Sequence, residues 1–412
     1  MAGQIENLIE VLCYCTLNVP RYKSLPLDIL AFPVVDRRQI MADFGAFISD
    51  EVGAAKKQLV EVLTMRASSG RTQCLATNES IWRDKIVIEG TSGTSGLPFL
   101  FPKTVAERAR ASLGIWKFRK RFDPRVTIRT FYPFFHGPPG FVHETDPFDC
   151  SPQNIVKLYS RLAANGMTWI HGYPALLERH ATVLTEMGMS LPVAVAESSG
   201  AHLSDDVERR IRGRLSRKVL NQYGCREVWV IGYSDGGNTF EILRDNVYVE
   251  LLDDQNFPIE QSGKTGWVVV TALQQQLLPF VRYQTGDRAQ WTEGLVGFSL
   301  NLVDIDRGDR LLLNGEWMQG APFFRAMLNE AFNQIGFINL RYIQIQQVSS
   351  TSFKIVLAKT PAGEKLRAAV EAACNRYLNK SPVTIHLEEA TNSELSRSLE
   401  TKPVLFRRHF IE

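Results

Sequence analysis

The 412-residue sequence has no excess of charge of either sign and no long apolar run. Its 47 Lys and Arg residues are nearly balanced by 44 Asp and Glu residues, and the basic residues are scattered along the chain. Proteins that bind nucleic acid usually carry a concentrated basic block or face, so we expect no nucleic-acid partner. No apolar stretch reaches the roughly 18 residues that a membrane-spanning helix needs, so we expect no membrane span.

Cysteine is scarce and widely dispersed. The six cysteines are Cys13, Cys15, Cys74, Cys150, Cys225 and Cys374. They form no CxxC pair, which argues against a zinc ribbon and against a disulfide framework. Residues 1–20 lack the basic segment and the small-residue cleavage site of a secretory signal, and they predict an amphipathic helix. These features favour a cytoplasmic protein.

What the sequence does have is ample apolar material and a regular alternation of element types. Hydrophobic residues make up 44% of the chain and charged residues 22%, which suits two or three folded units. From residue 85 onward, β-branched runs alternate with helical periodicity, and this alternation predicts α/β layers around a parallel or mixed sheet. The individual elements predicted are helices over 36–66, 105–122, 205–215 and 363–378 and strands over 85–89, 126–135 and 192–196.

The pattern changes twice toward the C-terminus. Short strands and turns over residues 245–303 predict a β-rich subdomain. After a polar stretch at residues 306–310, we expect a helix, two strands, a helix and a strand. The predicted fold class is therefore α/β, with a large N-terminal domain, residues 1–305, of layered mixed β-sheets and helices plus the β-rich subdomain. A small α+β C-terminal domain, residues 306–412, would follow.

Between two predicted strands lies a polar loop, residues 91–98, with the sequence TSGTSGLP. Its first six residues are Thr91, Ser92, Gly93, Thr94, Ser95 and Gly96. Four hydroxyls and two glycines offer donors and unhindered backbone N–H groups to anionic oxygens, which predicts a polyphosphate site. Leu97 takes the place of the lysine of the GxxxxGK[ST] loop, and an ordinary polar turn remains the alternative.

Further segments follow this loop in a recognisable order. They are NQYGCRE at 221–227, LPFVRYQTGD at 278–287, IDRGDRLLLNG at 305–315 and LSRSLETKPVLFRR at 395–408. Together they resemble the acyl-adenylate-forming superfamily of acyl-CoA synthetases, luciferases and peptide-synthetase adenylation domains, and within it the phenylacetate-CoA ligase and coenzyme F390 synthetase-like branch. The resemblance runs from about residue 85 to the C-terminus, and the segment at 278–287 is its most specific part.

The resemblance implies a binding site for the adenosine of ATP. Gly200 and Ala201 resemble the strand end that lies against the adenine in that superfamily. Tyr223, in the segment that also contains Gly224, would stack on the adenine. Asp287 would accept hydrogen bonds from both ribose hydroxyls, which suits a carboxylate with its two oxygens.

The resemblance also implies residues around the phosphates and the reacting acid. Glu227 would bind Mg2+, an ion that prefers oxygen ligands. Arg307 would make a second ribose or phosphate contact, and His136 would flank the acyl carboxylate. Lys402, on a mobile C-terminal domain, would stabilise charge at the α-phosphate. Arg226 departs from the family pattern, which has Thr or Ser beside that phosphate. It would either clamp the phosphate more strongly or indicate altered chemistry.

The implied reaction is attack of a carboxylate on ATP, release of pyrophosphate and transfer of the acyl group to CoA. The partners would be a small carboxylic acid, ATP with Mg2+, and CoA as co-substrate; a homodimer stays open. The positions that match the acid pocket are Phe135, His136, Tyr173, Ser199, Gly200 and Trp229. Their aromatic content favours an aromatic or medium apolar acid.

Two alternatives stay open. An adenylating ligase of secondary metabolism would pass its acyl group to an amine, a hydroxyl or a carrier-protein thiol. A non-catalytic nucleotide-binding protein of the same fold is the second alternative. It is motivated by three departures from the family pattern, namely Leu97, Arg226 and Thr401.

Overall fold

The computed structural model describes residues 2–68, 86–91, 99–134, 145–189, 192–293, 297–301, 310–320, 323–324, 327–328, 343–358, 363–378, 383–390 and 406–408. The chain divides into two compact units. The first consists mainly of Met1–Gly93, Leu97–Val126 and Asn221–Ile305, and the second mainly of Thr127–Leu220 and Asp306–Glu412.

The first unit begins with helices. They are α1 (Ala2–Asn18), α2 (Arg37–Ala42), α3 (Phe44–Phe47) and α4 (Ala55–Ser68). Asp36 starts α2 with a capping box, in which its carboxylate accepts the N–H of Gln39 and the Gln39 side chain accepts the N–H of Asp36. Such a box satisfies donors that every helix start leaves open. The amphipathic N-terminal helix and the helices predicted over 36–66 are therefore confirmed.

A strand pair encloses the predicted phosphate loop. Strand β1 (Ile86–Gly90) pairs antiparallel with β2 (Leu100–Thr104), and Gly90 lies opposite Leu100. Helix α5 (Val105–Phe122) follows at once, because Thr104 and Glu107 form a second capping box. The two strands that were predicted on either side of the loop are confirmed. Of the loop itself, Ser92 to Pro98 lie outside the described residues.

The remaining strands of the first unit form an antiparallel sheet in the order β6-β7-β8-β12-β11-β10-β9. Their bounds are β6 (Lys218–Cys225), β7 (Trp229–Ser234), β8 (Thr239–Ile242), β9 (Val247–Leu252), β10 (Thr265–Ala272), β11 (Tyr283–Trp291) and β12 (Gly297–Asn301). The strands predicted over 245–303 are present, and they share one sheet with β6 to β8. Their apolar side chains pack with the N-terminal helices in one core that includes Leu12, Phe44, Leu59, Phe101, Phe280 and Phe298.

The second unit contains a parallel strand set with helical connections. Strands β3 (Phe131–Pro133), β4 (Trp169–Gly172) and β5 (Val195–Ser199) pair in this order. The helices are α6 (Pro152–Ala164), α7 (Pro174–Glu186) and α8 (Asp205–Arg214). Helix α8 begins as predicted, with the Ser204 hydroxyl accepting the N–H of Val207.

Two strand predictions in this region were wrong in extent. The strand predicted over 126–135 is reduced to β3, because the Thr130 hydroxyl accepts the N–H of Thr127 and closes a turn before it. The strand predicted over 192–196 is displaced to β5. It continues through polar residues because Glu197 accepts the indole N–H of Trp169 on the neighbouring strand.

The C-terminal residues form a small α+β arrangement. A hairpin of β13 (Arg310–Leu313) and β14 (Glu316–Gln319) precedes β15 (Ile343–Ser349), β16 (Ser352–Ala358), α9 (Gly363–Leu378), β17 (Thr384–Ala390) and β18 (Phe406–Arg408). The last four strands lie in the order β17-β16-β15-β18. The two strands, helix and strand predicted here are confirmed, as is the α/β fold class. Residues 306–309 lie outside the described part, and the boundary at 305/306 stays a prediction. Within the described residues, no helix is both long and apolar enough to cross a membrane.

A buried ion pair ties the segment before α2 to the sheet. The guanidinium of Arg282 bonds both carboxylate oxygens of Glu250, at 3.2 and 3.0 Å, and donates to the carbonyl of Phe32 at 3.0 Å. Burial raises the pKa of Glu250, and Arg282 opposes this shift. Because both side chains are buried, removing one partner leaves the other charge without compensation.

We expect Arg282→Met to lower the free energy of unfolding by about 3–5 kcal/mol, because it leaves the buried Glu250 carboxylate without its cation. The double variant Arg282→Met/Glu250→Gln should lose clearly less. The exposed pair Lys23–Asp50 gives the control, and Lys23→Met should cost less than about 1 kcal/mol. Urea unfolding measures all three, and equal losses for Arg282→Met and Lys23→Met would contradict the assignment.

Candidate active site

The turn between β6 and β7 carries two of the predicted site residues, Arg226 and Glu227. It is tight because a Cβ added at Gly224 would collide with the carbonyl oxygen of Trp229. Trp229 itself has a left-handed backbone, with φ of 64°, which costs energy for a bulky residue. The structure thus gives Gly224 a steric role in shaping this turn.

Glu227 is buried in the turn, with 6% of its surface exposed. Its Oε1 atom accepts the hydroxyl of Tyr283 at 2.9 Å, and its carbonyl accepts the side-chain amide of Gln275 at 2.8 Å. Its side chain is therefore not solvated. A buried carboxylate costs free energy unless hydrogen bonds or a cation compensate its charge, so Glu227 suits a site that binds a cation.

Asp287 lies in a bulge of β11 and is 1% exposed. Gln284 pairs with Val269 and Arg288 with Trp267, so residues 285–287 face the single residue Val268. Gly286 has a φ of 84°, which glycine adopts at little cost. The hydroxyl of Thr285 donates to Val268 and accepts the N–H of Asp287, which fixes the shape of the bulge.

A tyrosine on β6 and a tyrosine on β11 each donate a hydrogen bond to a carboxylate of the other segment. The hydroxyl of Tyr223 on β6 donates to Oδ2 of Asp287 on β11 at 2.7 Å. In the opposite direction, Tyr283 of β11 donates to Glu227 in the turn after β6. The ring of Tyr223 packs against Phe240 and Phe298, with centroids 5.5 Å away in both cases. The structure thus brings together Tyr223, Asp287 and Glu227; stacking of Tyr223 on adenine stays a prediction.

Arg226 and Thr91 lie at the base of the predicted phosphate loop. The Arg226 guanidinium donates to the carbonyl of Gly90 at 3.0 Å, one residue before the loop begins. The N–H of Thr91 donates to the carbonyl of Phe99 at 2.9 Å, and the N–H of Phe99 points back to the Thr91 hydroxyl. These bonds close the base of the loop and place a cation beside its first residue.

Lys103 on β2 is a site neighbour that the sequence analysis missed. It is 2% exposed, and its Nζ atom donates to the carbonyl of Arg226 at 2.9 Å and lies 3.3 Å from Oε2 of Glu89. Burial lowers the pKa of Lys103, and the carboxylates of Glu89 and Glu227 oppose this shift. The available signal was a pair of charged residues at the ends of two apolar strands, Glu89 after IVI and Lys103 after FLFP.

Other predicted residues lie in the second unit. Gly200 and Ala201 follow β5, and Gly200 has a φ of 78°. Beside them, the Ser199 hydroxyl is 2.7 Å from Nε2 of His171 on β4. The buried Tyr173 comes directly before α7. Carboxyl ends of parallel strands are where α/β proteins usually bind ligands, so these positions suit a binding role.

Several predicted site residues lie outside the part of the chain that the structure describes. Those outside the described part are Ser92, Gly93, Thr94, Ser95, Gly96, Phe135, His136, Arg307 and Lys402. Within the described part, no group of three or more His, Cys, Asp or Glu side chains is arranged to hold a metal ion. A magnesium ion that is bound mainly by nucleotide phosphates needs only one or two protein carboxylates. Glu227 fits that requirement.

We expect Tyr283→Phe to lower the free energy of unfolding by about 1–3 kcal/mol, because it removes a hydroxyl donor from a buried carboxylate. Tyr223→Phe should have an effect of similar size through Asp287. Tyr377 is exposed on α9, and Tyr377→Phe should change stability by less than about 0.5 kcal/mol. Urea denaturation compares the three, and site variants no less stable than the Tyr377 control would disprove the proposed coupling.

Comparison with known proteins supports the resemblance seen in the sequence. No family model matches the chain. Phenylacetate-coenzyme A ligase of Pseudomonas putida is 31% identical over 98 residues, a segment that spans 22% of this chain and 22% of that relative.

The solved structures of 2-hydroxyisobutyryl-CoA ligase match over nearly the whole chain. Its complex with 2-HIB-AMP and CoA in the thioesterification state is 18% identical, with 99% of this chain and 89% of that chain covered and a TM-score of 0.51. Its post-adenylation complex with 2-HIB-AMP is 14% identical, with coverage of 95% and 86% and a TM-score of 0.51. These likenesses show that the chain has the fold of 2-hydroxyisobutyryl-CoA ligase, in agreement with the α/β fold class predicted from the sequence.

Proposed function

We propose that this protein activates a carboxylic acid with ATP as an acyl adenylate and then transfers the acyl group to CoA. The observation that carries the proposal is the crossed pair of hydrogen bonds, Tyr223 to Asp287 and Tyr283 to Glu227. They hold two buried carboxylates in the segments that, by resemblance, bind the ribose and the magnesium ion of ATP. The names of the similar proteins, phenylacetate-coenzyme A ligase and 2-hydroxyisobutyryl-CoA ligase, support the same reaction.

The described residues have distinct roles in this proposal. Asp287 accepts hydrogen bonds from the ribose diol, and Tyr223 fixes the orientation of its carboxylate. Glu227 holds Mg2+, which when bound offsets negative charge on the phosphates, and Tyr283 fixes Glu227. Arg226, anchored at Gly90, donates to phosphate oxygens through charge-assisted hydrogen bonds. Gly200 and Ala201 lie against the adenine.

Further residues, all but Thr91 outside the described part, complete the proposal. The loop from Thr91 to Gly96 grips the β- and γ-phosphates, and His136 flanks the acyl carboxylate. Arg307 contacts the ribose or a phosphate. Lys402, on a mobile C-terminal domain of residues 306–412, stabilises the charge that develops when the carboxylate attacks the α-phosphorus.

The acid that we propose is aromatic or of medium apolar size. Tyr173 is buried and follows His171 by two residues, and Nε2 of His171 lies 2.7 Å from the Ser199 hydroxyl. Aromatic side chains combined with a few polar groups suit such ligands. We propose a cytoplasmic location from the dispersed cysteines, and a measurement of mass in solution tests for a homodimer. Transfer to an amine or a carrier protein is the second candidate, and nucleotide binding without catalysis is the third.

A pyrophosphate-release screen tests the proposal directly. The purified protein is incubated with ATP, Mg2+ and a panel of aromatic, fatty and amino acids, and hydroxylamine traps any acyl adenylate. CoA, amines and carrier proteins are then supplied separately to identify the acceptor. Binding of ATP without pyrophosphate release across the panel would instead support the non-catalytic candidate.

We expect Lys402→Ala to slow adenylation by about 10²- to 10³-fold, the effect typical of removing one transition-state donor. The exposed Lys365 on α9 gives a matched control, and Lys365→Ala should keep wild-type activity. Pyrophosphate exchange measures both. Unchanged exchange in Lys402→Ala would remove this lysine from the mechanism.

We expect Glu227→Gln to raise the half-saturating Mg2+ concentration by at least about tenfold, because the amide keeps the shape but loses the charge that the ion needs. The exposed Glu260 provides the control Glu260→Gln. Calorimetric titration of ATP at several Mg2+ concentrations gives a readout that does not depend on turnover. If both variants show the wild-type Mg2+ dependence, Glu227 is not the metal ligand.

A further inference from the structure

A cluster of charged side chains, with the buried Lys103 at its centre, contacts the turn that carries Arg226 and Glu227. We call it the Lys103 cluster, and its members are Glu89, Lys103, Arg108 and Trp229. Glu89 accepts the indole N–H of Trp229 at 2.9 Å, and its other carboxylate oxygen lies 3.1 Å from Nε of Arg108. Lys103 and Glu89 are diagonal neighbours on one face of the β1–β2 pair, since Lys103 pairs with Val87 and Glu89 with Phe101.

The ammonium of Lys103 is surrounded by partners from three directions. One is the carboxylate of Glu89 and another is the carbonyl of Arg226. The rings of Phe101 and Trp229 form the third, with centroids 5.2 and 4.9 Å from Nζ. Cation–π contacts of this kind gain strength when the cation is desolvated. The ammonium therefore has one defined position.

That position matters because the Arg226 carbonyl belongs to the turn. Gly224 and Trp229 leave this turn little steric freedom, and the bond from Lys103 fixes its middle. On the other side, the Arg226 side chain reaches Gly90, the last residue of β1. The Lys103 cluster thus joins the strands that enclose the phosphate loop to the turn that carries the metal carboxylate.

We propose that Lys103 is a positioning residue for nucleotide binding: it holds the Arg226–Glu227 turn against the base of the phosphate loop, so that Arg226 supplies the cation that Leu97 does not provide. This inference rests on the proposed function of the same site. Lys103 touches no substrate and acts through the Arg226 carbonyl.

A purely structural role for Lys103 makes a different prediction. An unpaired buried carboxylate is destabilising, whereas replacing both members of a buried pair by neutral residues is often tolerated. If Lys103 only neutralises Glu89, the double variant Glu89→Gln/Lys103→Met should recover both stability and nucleotide binding. If Lys103 positions the turn, the double variant should recover stability alone, because the Arg226 carbonyl still lacks its donor.

The experiment compares Lys103→Met, Glu89→Gln/Lys103→Met and the control Lys117→Met on the full-length protein. Lys117 lies on α5 with 76% of its side chain exposed. Calorimetry measures the Kd for ATP in the presence of Mg2+, thermal unfolding measures stability, and pyrophosphate exchange gives the KM for ATP and for the acid separately.

We expect Lys103→Met and the double variant to raise both the Kd and the KM for ATP by about tenfold, the loss typical of one charged hydrogen bond. The KM for the acid should stay within about twofold, and the double variant should unfold near the wild-type temperature. Lys117→Met should match the wild type throughout.

Two results would overturn the inference by different routes. Wild-type ATP affinity in the double variant, with ATP binding intact in the wild type, would reduce Lys103 to a structural role and leave the proposed function standing. A wild-type protein that neither binds ATP nor releases pyrophosphate with any acid would overturn the proposed function and this assignment together.

Discussion

The geometry of the candidate site depends on two tyrosine hydroxyls, one on β6 and one on β11, because each donates a hydrogen bond to a carboxylate of the other segment. Tyr223 holds Asp287, and Tyr283 holds Glu227. Each carboxylate is buried, so each needs a donor to offset the loss of its hydration. Because the donors and acceptors are exchanged between the two segments, these two hydrogen bonds form only when β6 and β11, which are not neighbours in the sheet, are both in place. The packing of the first unit therefore helps to set the geometry of the site.

Two local backbone features make this exchange sterically feasible. The turn after β6 is closed by Gly224, where a side chain would meet Trp229. The bulge in β11 sets residues 285–287 against Val268, and the Thr285 hydroxyl occupies the irregular hydrogen-bonding positions that the bulge creates. Bulges that redirect a side chain are frequent beside binding sites. Here the bulge ends at Asp287, the residue expected to contact the ribose.

Elements that depend on local sequence signals were predicted well, whereas contacts between residues distant in sequence were not predicted. The bounds of α5 and α9 followed from periodicity, and α5 also carries its capping box in sequence. Glu227 and Asp287 were predicted as site residues because they lie in segments that resemble the family's motifs. Their tyrosine donors each come from the other segment, and no local rule pairs them. β5 was misplaced because its polar end is held by Trp169 on another strand. Lys103 was missed because its burial also depends on the Arg226 carbonyl and the ring of Trp229, which are distant in sequence.

Arg226 first stood out as a departure from the family pattern, together with the missing loop lysine at Leu97. The contacts show that Arg226 is integrated into the site: its guanidinium bonds Gly90 at the loop base, and its carbonyl bonds the buried Lys103. A guanidinium stays protonated and has five donors, so it can keep the Gly90 bond while donating to a phosphate. Burial of the Lys103 ammonium is costly unless its charge is compensated, and the proposed nucleotide site gives this lysine a role through the Arg226 carbonyl. The contacts of Arg226 with Gly90 and Lys103 therefore fit the proposed enzyme, in which Arg226 supplies a cation to the phosphates, better than a non-catalytic relative.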